Sequence, residues 1–256
     1  MIDVILLRFS ALLMSFGDVA VDSIGPTRMF PTRSMLTGLC ANALGYEHSE
    51  AERTGALQAR LCFASRRDRA GEMLRDFHTV DLGQVSTSGV AWLADTGWTT
   101  RGMREDRGGE EATRRGTDIR RRFYLADAIY TVALALTSND CSPSIDDLAA
   151  ALREPSRPLF LGRKTCIPSS PIFAGRTRTD TLLTALAEAP LAPHARVEDG
   201  RLLAEWPDEG QGTQESRRLA ITDERDWVNQ VHVGRRFVRE GMLRLSTLEA
   251  KCSCTS

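Results

Sequence analysis

Apolar residues arrive along the first half of the chain in short runs separated by breakers, and the spacing within each run identifies its element. Residues 2–9, Ile-Asp-Val-Ile-Leu-Leu-Arg-Phe, form a β-branched run of strand length. Gly17, Gly25, Pro26 and Pro31 then punctuate the segment up to Arg33. From Ser34 the apolar positions are Met35, Leu36, Leu39, Cys40, Ala43 and Leu44, which is helical spacing, and Gly45 stands where a C-terminal cap belongs. Leu61-Cys62-Phe63-Ala64 predicts a second strand and Ala128 to Leu134 a third. Ser144 can cap a helix through Ile145, Leu148, Ala149 and Leu152, with Asp146 and Asp147 in its first turn. Pro158-Leu159-Phe160-Leu161 predicts a short strand ending at Gly162.

Residues 83–122 break this pattern. They hold seven glycines and few aliphatics, and between Arg101 and Arg122 eight arginines face five acids. So polar a stretch builds no core of its own, and it reads as an extended hairpin arm projecting from the domain. The element order is strand, helix, strand, arm, strand, helix, strand. That is the split βαβ, ferredoxin-like order of an α+β protein, which RNA-recognition domains share. The predicted division is a domain at 1–175 with the arm inserted and a small β-rich appendage at 176–256. The appendage would carry a helix near 181–187 and strands near 217–222 and 229–237.

Composition adjusts this picture in three places. The formal net charge of −1 argues against one uniformly basic binding face. Thirty-one of the 33 basic residues are Arg, leaving only Lys164 and Lys251 as lysines, and GC-rich coding accounts for such a ratio as readily as phosphate binding does. The position of each cation therefore carries more weight than the count. The cysteines at 40, 62, 141, 166, 252 and 254 form no C-x-x-C pair, so no metal site or cofactor is expected. The apolar stretch 5–16 is interrupted by Arg8 and Ser10 and reads as neither signal peptide nor membrane span, giving a cytoplasmic protein with no membrane partner.

Four places could carry chemistry. Arg28 to Ser34 opens the first helix, where unpaired N–H groups and the helix dipole suit an anion, and Arg28, Thr32, Arg33 and Ser34 would surround it. A simple capped helix with solvated arginines accounts for the same residues. Gly162, Arg163 and Lys164 follow a predicted strand, where glycine permits close backbone approach beside two cations; an ordinary basic turn is the other reading. Trp98, Arg101, Arg104, Arg107, Arg120 and Arg122 in the arm could track a nucleic-acid backbone, or form a solvated loop of mixed charge. His78, between Phe77 and Thr79, could act as a general base in RNA cleavage or bond a neighbouring loop. No Walker loop, nucleophile elbow or paired-carboxylate spacing is present.

Taken in series, several segments resemble the Cas-five family of the RAMP superfamily, in its CasD branch from type I-E CRISPR Cascade. They are Phe30-Pro31-Thr32-Arg33-Ser34 with Leu36, Gly38-Leu39 and Leu44-Gly45; Arg75 to Val80; Tyr124 to Ala128; and Pro158 to Cys166. They occur in the family's order and span roughly residues 2–175, whereas the tail beyond Arg176 matches only loosely. The resemblance implies a non-catalytic subunit of an antiviral ribonucleoprotein that grips the 5′ handle of the crRNA. Its partners would be the CasC backbone subunit, the large subunit CasA and, through the assembled complex, target DNA. Carried over, Arg28, Arg33 and Ser34 with Gly162, Arg163 and Lys164 would cradle the handle, and residues 83–122 would form a thumb over the guide. A type I-C branch of the family cuts precursor crRNA without metal using a Tyr, a Lys and a His. Here Lys164 is the only lysine before residue 251 and His78 has no Lys neighbour in sequence, so metal-independent endoribonuclease activity is the alternative reading.

Overall fold

In the first strand, β1 (Ile2–Ser10), Ile5, Leu7 and Phe9 bury themselves against one layer while Val4 and Leu6 bury against another. A strand covered on both faces reads as an unbroken apolar run, which is why the sequence there does not alternate. The computed structural model describes residues 1–19, 23–81, 96–98, 104–106, 117–139, 141–195, 197, 199–209 and 215–246. The chain divides into two compact units. The first comprises Met1–Val19, Pro26–Leu74 and Tyr124–Ser256, and the second Ala20–Gly25 and Arg75–Phe123.

The first unit is a mixed α/β structure built on a seven-stranded antiparallel sheet. Numbered along the chain, its strands are ordered β10 (Phe173–Thr179), β1, β9 (Ile129–Leu136), β4 (Leu61–Arg69), β11 (Arg201–Pro207), β15 (Arg236–Arg244) and β12 (Arg217–Ile221). One face carries α1 (Arg33–Ala43), α2 (Ala51–Arg60) and α3 (Ile145–Arg153), whose Leu36, Leu57 and Leu148 pack with Phe9, Phe63, Tyr130 and Leu134. The other face carries α4 (Leu182–Glu188), whose Leu182 and Leu186 lie on Ala64, Ala133, Ala135 and Ala204. Small residues on that face let a short helix approach the sheet closely.

A buried polar network fixes the end of α4. Arg66, fully buried on β4, donates Nε to Asp68 at 2.7 Å and Nη1 to the Ala189 carbonyl at 3.0 Å. Asp68 also accepts from Thr131 Oγ1 at 2.8 Å, from the Ala192 N–H at 3.0 Å and from Arg8 Nη1 at 3.2 Å. With every charge paired and every oxygen engaged, burial of these ions is tolerated.

Both predicted helix caps are present. Thr32 accepts from the Met35 N–H at the start of α1, and Gly45 follows its end at φ +78°. Ser144 and Asp147 form a reciprocal capping box on α3. Three expectations change. Residues 158–161 form no strand, because Pro158 lacks a donor and Leu161 turns its N–H onto the Cys166 carbonyl at 2.8 Å. The strand that pairs with β1 at the sheet edge is instead β10, antiparallel from Ile2↔Thr179. A further helix, α2, lies where no apolar periodicity announced one.

The residues beyond 199 extend the same sheet. β11 joins β4 through Ala204↔Arg66 and Glu205↔Ser65, then β15 and β12 follow. A hairpin of β13 (Glu224–Asp226) and β14 (Val231–Val233) is anchored to α2 through Gln58, which donates to the Arg225 carbonyl and accepts from Trp227 Nε1. β2 (Leu13–Met14) pairs with the last residues of β8 (Thr117–Ala126) through Leu13↔Ala126 and Met14↔Leu125.

In the second unit, β3 (Ile24–Gly25) runs parallel to β8 through Ile24↔Arg121 and Gly25↔Arg122. β5 (Glu72–Asp81), which starts in the first unit, also pairs with β8, and β6 (Thr96–Trp98) pairs with β7 (Arg104–Asp106). The expected arm therefore contains paired strands. Its remaining residues, 82–95, 99–103 and 107–116, lie outside the described residues.

Candidate nucleic-acid interface

Three residues after β2 bring the two basic segments together. The Ser15 N–H donates to the Leu161 carbonyl at 3.0 Å, the Phe16 N–H donates to Thr27 Oγ1 at 2.9 Å, and the Gly17 carbonyl accepts from the Arg28 N–H at 2.9 Å. The Phe16 carbonyl accepts from Thr32 Oγ1 at 2.6 Å. Segments 26–34 and 161–166, separated by well over a hundred positions, thus hang on one short piece of chain. Phe16 and Phe30 both meet the ring of Tyr130 edge-on, at 5.1 and 5.9 Å, and the Tyr130 hydroxyl donates to the Met29 carbonyl at 2.5 Å. Those aromatic contacts hold the approach to α1 in place.

Residues 161–166 form a tight turn closed by the Leu161 and Cys166 backbone bonds, with the Cys166 N–H donating to the Arg163 carbonyl at 2.8 Å. Gly162 has φ +105°, and a Cβ there would fall 1.6 Å from the Ser15 carbonyl oxygen. Glycine is required on both counts. The Arg163 guanidinium lies 4.7 Å from the centre of the Tyr124 ring and 3.5 Å from the Pro26 carbonyl, so it is aimed at the other basic segment. Lys164 is exposed and makes no ion pair among the described residues.

The N-terminus of α1 is engaged from within the chain. Asp223 Oδ2 accepts from the Arg33 N–H at 2.9 Å, and the Asp223 carbonyl accepts from the Ser34 N–H at 2.9 Å. The same carboxylate accepts from Arg236 Nε and Nη2 at 3.1 and 2.6 Å. Burial alone would push the Asp223 carboxyl up, but Arg236 and the Arg33 N–H together hold it below the ordinary carboxylate range. The Arg33 guanidinium pairs with Glu224 at 2.5 Å, and Thr32 and Ser34 are buried. The Arg33 and Ser34 N–H groups, read from sequence as part of an anion site, are taken by Asp223 from within the chain. Arg33 and Ser34 are joined to the C-terminal region through Asp223 and Glu224; Arg28, Arg33 and Arg163 are half-buried, and Lys164 is the exposed cation of the two segments.

Arg28 has Nη2 3.6 Å from Glu205 Oε2. Glu205 is buried on β11, and burial raises its carboxyl to about 7, with Arg28 and Arg236 acting against the rise. Neither Asp223 nor Glu205 was singled out from sequence, since both lie in the C-terminal region with no local motif.

The remaining predicted residues fall in the second unit. Arg120 is exposed on β8 and Arg122 half-buried, its backbone opposite Gly25. Trp98 and Arg104 are paired across β6 and β7. Arg101 and Arg107 lie outside the described residues. His78 on β5 is partly exposed, with Nε2 2.5 Å from the Asp76 carboxylate, close enough for an ion pair but not aligned as a hydrogen bond.

Residues 4–239 match a family model described as CRISPR-associated protein (Cas_Cas5). The chain is 33% identical over 171 residues to CRISPR system Cascade subunit CasD of Escherichia coli (strain K12), covering 67% of this chain and 70% of that one. It is similar in structure to a chain of a CRISPR RNA-guided surveillance complex, with a TM-score of 0.66, 27% identity, and coverage of 96% of this chain and 92% of that one. A crystal structure of a Cas protein matches at a TM-score of 0.58 and 23% identity, covering 94% and 95%, and shares the fold.

Proposed function

Since the chain belongs to the CRISPR-associated Cas5 family, we propose that it is a non-catalytic subunit of a type I-E Cascade surveillance complex and holds the 5′ handle of the guide RNA. Its core order β10-β1-β9-β4, with β1-α1-β4 and β9-α3-β10 connections, fits the ferredoxin-like RAMP reading, with residues of the second unit as the thumb. The observation that carries the proposal is the convergence of Arg28 and the Gly162-Arg163-Lys164 turn on Ser15 to Gly17, next to one another and with Lys164 unneutralised. Phosphates need cations on a rigid backbone, and both segments are tied at several points.

Within the complex the handle-bound subunit would meet CasC at the backbone and CasA as the large subunit, and act on target DNA only through the assembly. The test is co-purification of guide RNA with an assembled complex carrying Arg163→Ala and Lys164→Ala together. Reduced guide occupancy with intact folding supports the reading, and unchanged occupancy contradicts it. Incubation of the chain with precursor repeat RNA in EDTA addresses the alternative, where cleavage lost in His78→Ala would establish an endoribonuclease.

A further inference from the structure

Glu205 lies opposite Ser65 across the β11–β4 pair, so both side chains point to the same face of the sheet. Glu205 is 2% exposed. Its surroundings come from five other elements. Arg28 approaches from the loop before α1, Arg236 and Glu240 from β15, Asp223 from the loop after β12, Tyr130 from β9, and Arg67, which engages Tyr130, from β4. Arg236 is already held by Asp223 through two hydrogen bonds. Arg67 is engaged by Tyr130, so Arg28 is the cation that pairs with Glu205, and at 3.6 Å it does so without a hydrogen bond. Glu205 Oε2, Ser65 Oγ and Arg28 Nε are all buried without a hydrogen-bond partner among the described residues.

Such an arrangement is unusual for a structural ion pair. Buried charges that serve stability are aligned and fully hydrogen-bonded, as Asp223–Arg236 and Asp68–Arg66 are in this same molecule. The Arg28 backbone is fixed by Gly17, beside the Lys164 turn, while its side chain keeps 21% exposure. If Arg28 left, an ionised Glu205 would remain buried and uncompensated, which is strongly unfavourable.

We propose that Glu205 is a positioning residue that parks Arg28 in the free protein, and that RNA phosphate takes Arg28 over while Glu205 takes up one proton from solvent. The inference rests on the RNA-holding function above. Its carboxyl, raised by burial to about 7, makes that proton available near neutrality. In the complex, with Arg28 turned away, the carboxyl rises further. Binding therefore consumes a proton in the window above about 7, and affinity falls as pH rises through it.

The experiment is a fluorescence-anisotropy titration of a labelled single-stranded RNA that carries the guide's repeat-derived 5′ handle. It uses the full chain at constant salt between about pH 6 and about pH 8.5. Wild type is expected to lose affinity as pH rises past about 7, approaching a limit of about tenfold per pH unit. Glu205→Gln is expected to bind at the acid-side wild-type affinity throughout, and Arg28→Ala weakly and without slope. The four histidines are common to both proteins, so any contribution from them cancels in the comparison. Calorimetry of wild type and Glu205→Gln in two buffers of different ionisation enthalpy reads the proton uptake directly, and the difference between them belongs to Glu205. A flat wild-type profile without proton uptake, or an unchanged slope in Glu205→Gln, overturns the coupling alone. No RNA binding by wild type at any pH overturns the RNA-holding function and the coupling with it.

Discussion

A methyl group on Gly162 would sit 1.6 Å from the Ser15 carbonyl oxygen, on a backbone at φ +105° that L side chains rarely adopt. Gly162→Ala is therefore expected to cost about 2–4 kcal/mol in urea denaturation and to weaken RNA binding by displacing the turn. Lys164→Ala should do the reverse: stability unchanged within about 0.5 kcal/mol, but weaker RNA binding and a salt dependence shallower by about one counterion. Glu205→Gln tests a third kind of residue. Its carboxyl is raised from 4.5 to about 7, so the fold favours the protonated form. That contribution is fully present below about 4.5 and lost as pH rises through about 7. Glu205→Gln should accordingly melt higher than wild type at about pH 8, by at most about 3 kcal/mol, and show no advantage in acid. Gly162 and Lys164 were legible in the sequence because a glycine after an apolar run and a rare lysine are local signals. Glu205 and Asp223 were not, because the partners that define them are brought in by sheet pairing, Asp223 reaching Arg33 across 190 positions.

At the scale of the element, the N-terminus of α1 is where the two halves of the sequence meet. Thr32 caps it locally and Asp223 caps it from a distance while neutralising Arg236. Thr32→Ala is expected to cost about 1 kcal/mol. Asp223→Ala leaves a buried arginine unpaired as well, and is expected to cost about 3–5 kcal/mol by chemical denaturation. Because the Asp223 carboxyl is held below its ordinary range, its contribution is present at neutral pH and disappears as pH falls through that depressed value. The pH dependence of stability should thus be weaker on the acid side in the Asp223→Asn variant than in wild type. Helices α1 and α3 were readable because cap residues and apolar spacing agree. Helix α2 was hidden, since Ala-Glu-Arg-Thr-Gly-Ala-Leu-Gln-Ala-Arg offers Leu57 as its one large apolar residue and spends Thr54 and Gln58 on buried polar contacts. The edge strand β10 was hidden for a different reason. Its residues alternate between exposed and partly exposed up to the buried Thr179, and Arg176 and Arg178 lie near Asp3 in ion pairs rather than in an apolar pattern.

Across the whole molecule, the sequence resemblance reached the family, while the loosely matching C-terminal third proved to extend the core sheet. Removing residues 200–256 would strip β11 from β4, expose that edge and take Asp223 from α1. The truncated chain is expected to lose near-UV circular dichroism and aggregate rather than persist as a folded domain. The same region explains how an arginine-rich chain has a net charge of only −1. Arg201, Arg217, Arg218, Arg236 and Arg239 are all matched by Glu215, Glu240, Asp208 or Asp223 within it. Lys164, by contrast, is exposed and makes no ion pair among the described residues. The most direct test of the central claim is ultraviolet cross-linking of the assembled complex, followed by mass spectrometry of the peptides bound to each guide nucleotide. The handle nucleotides at the 5′ end should cross-link to peptides containing residues 26–34 and 161–166. Cross-links from those peptides to the spacer or 3′ portion of the guide, with the handle joined to another surface, would contradict it.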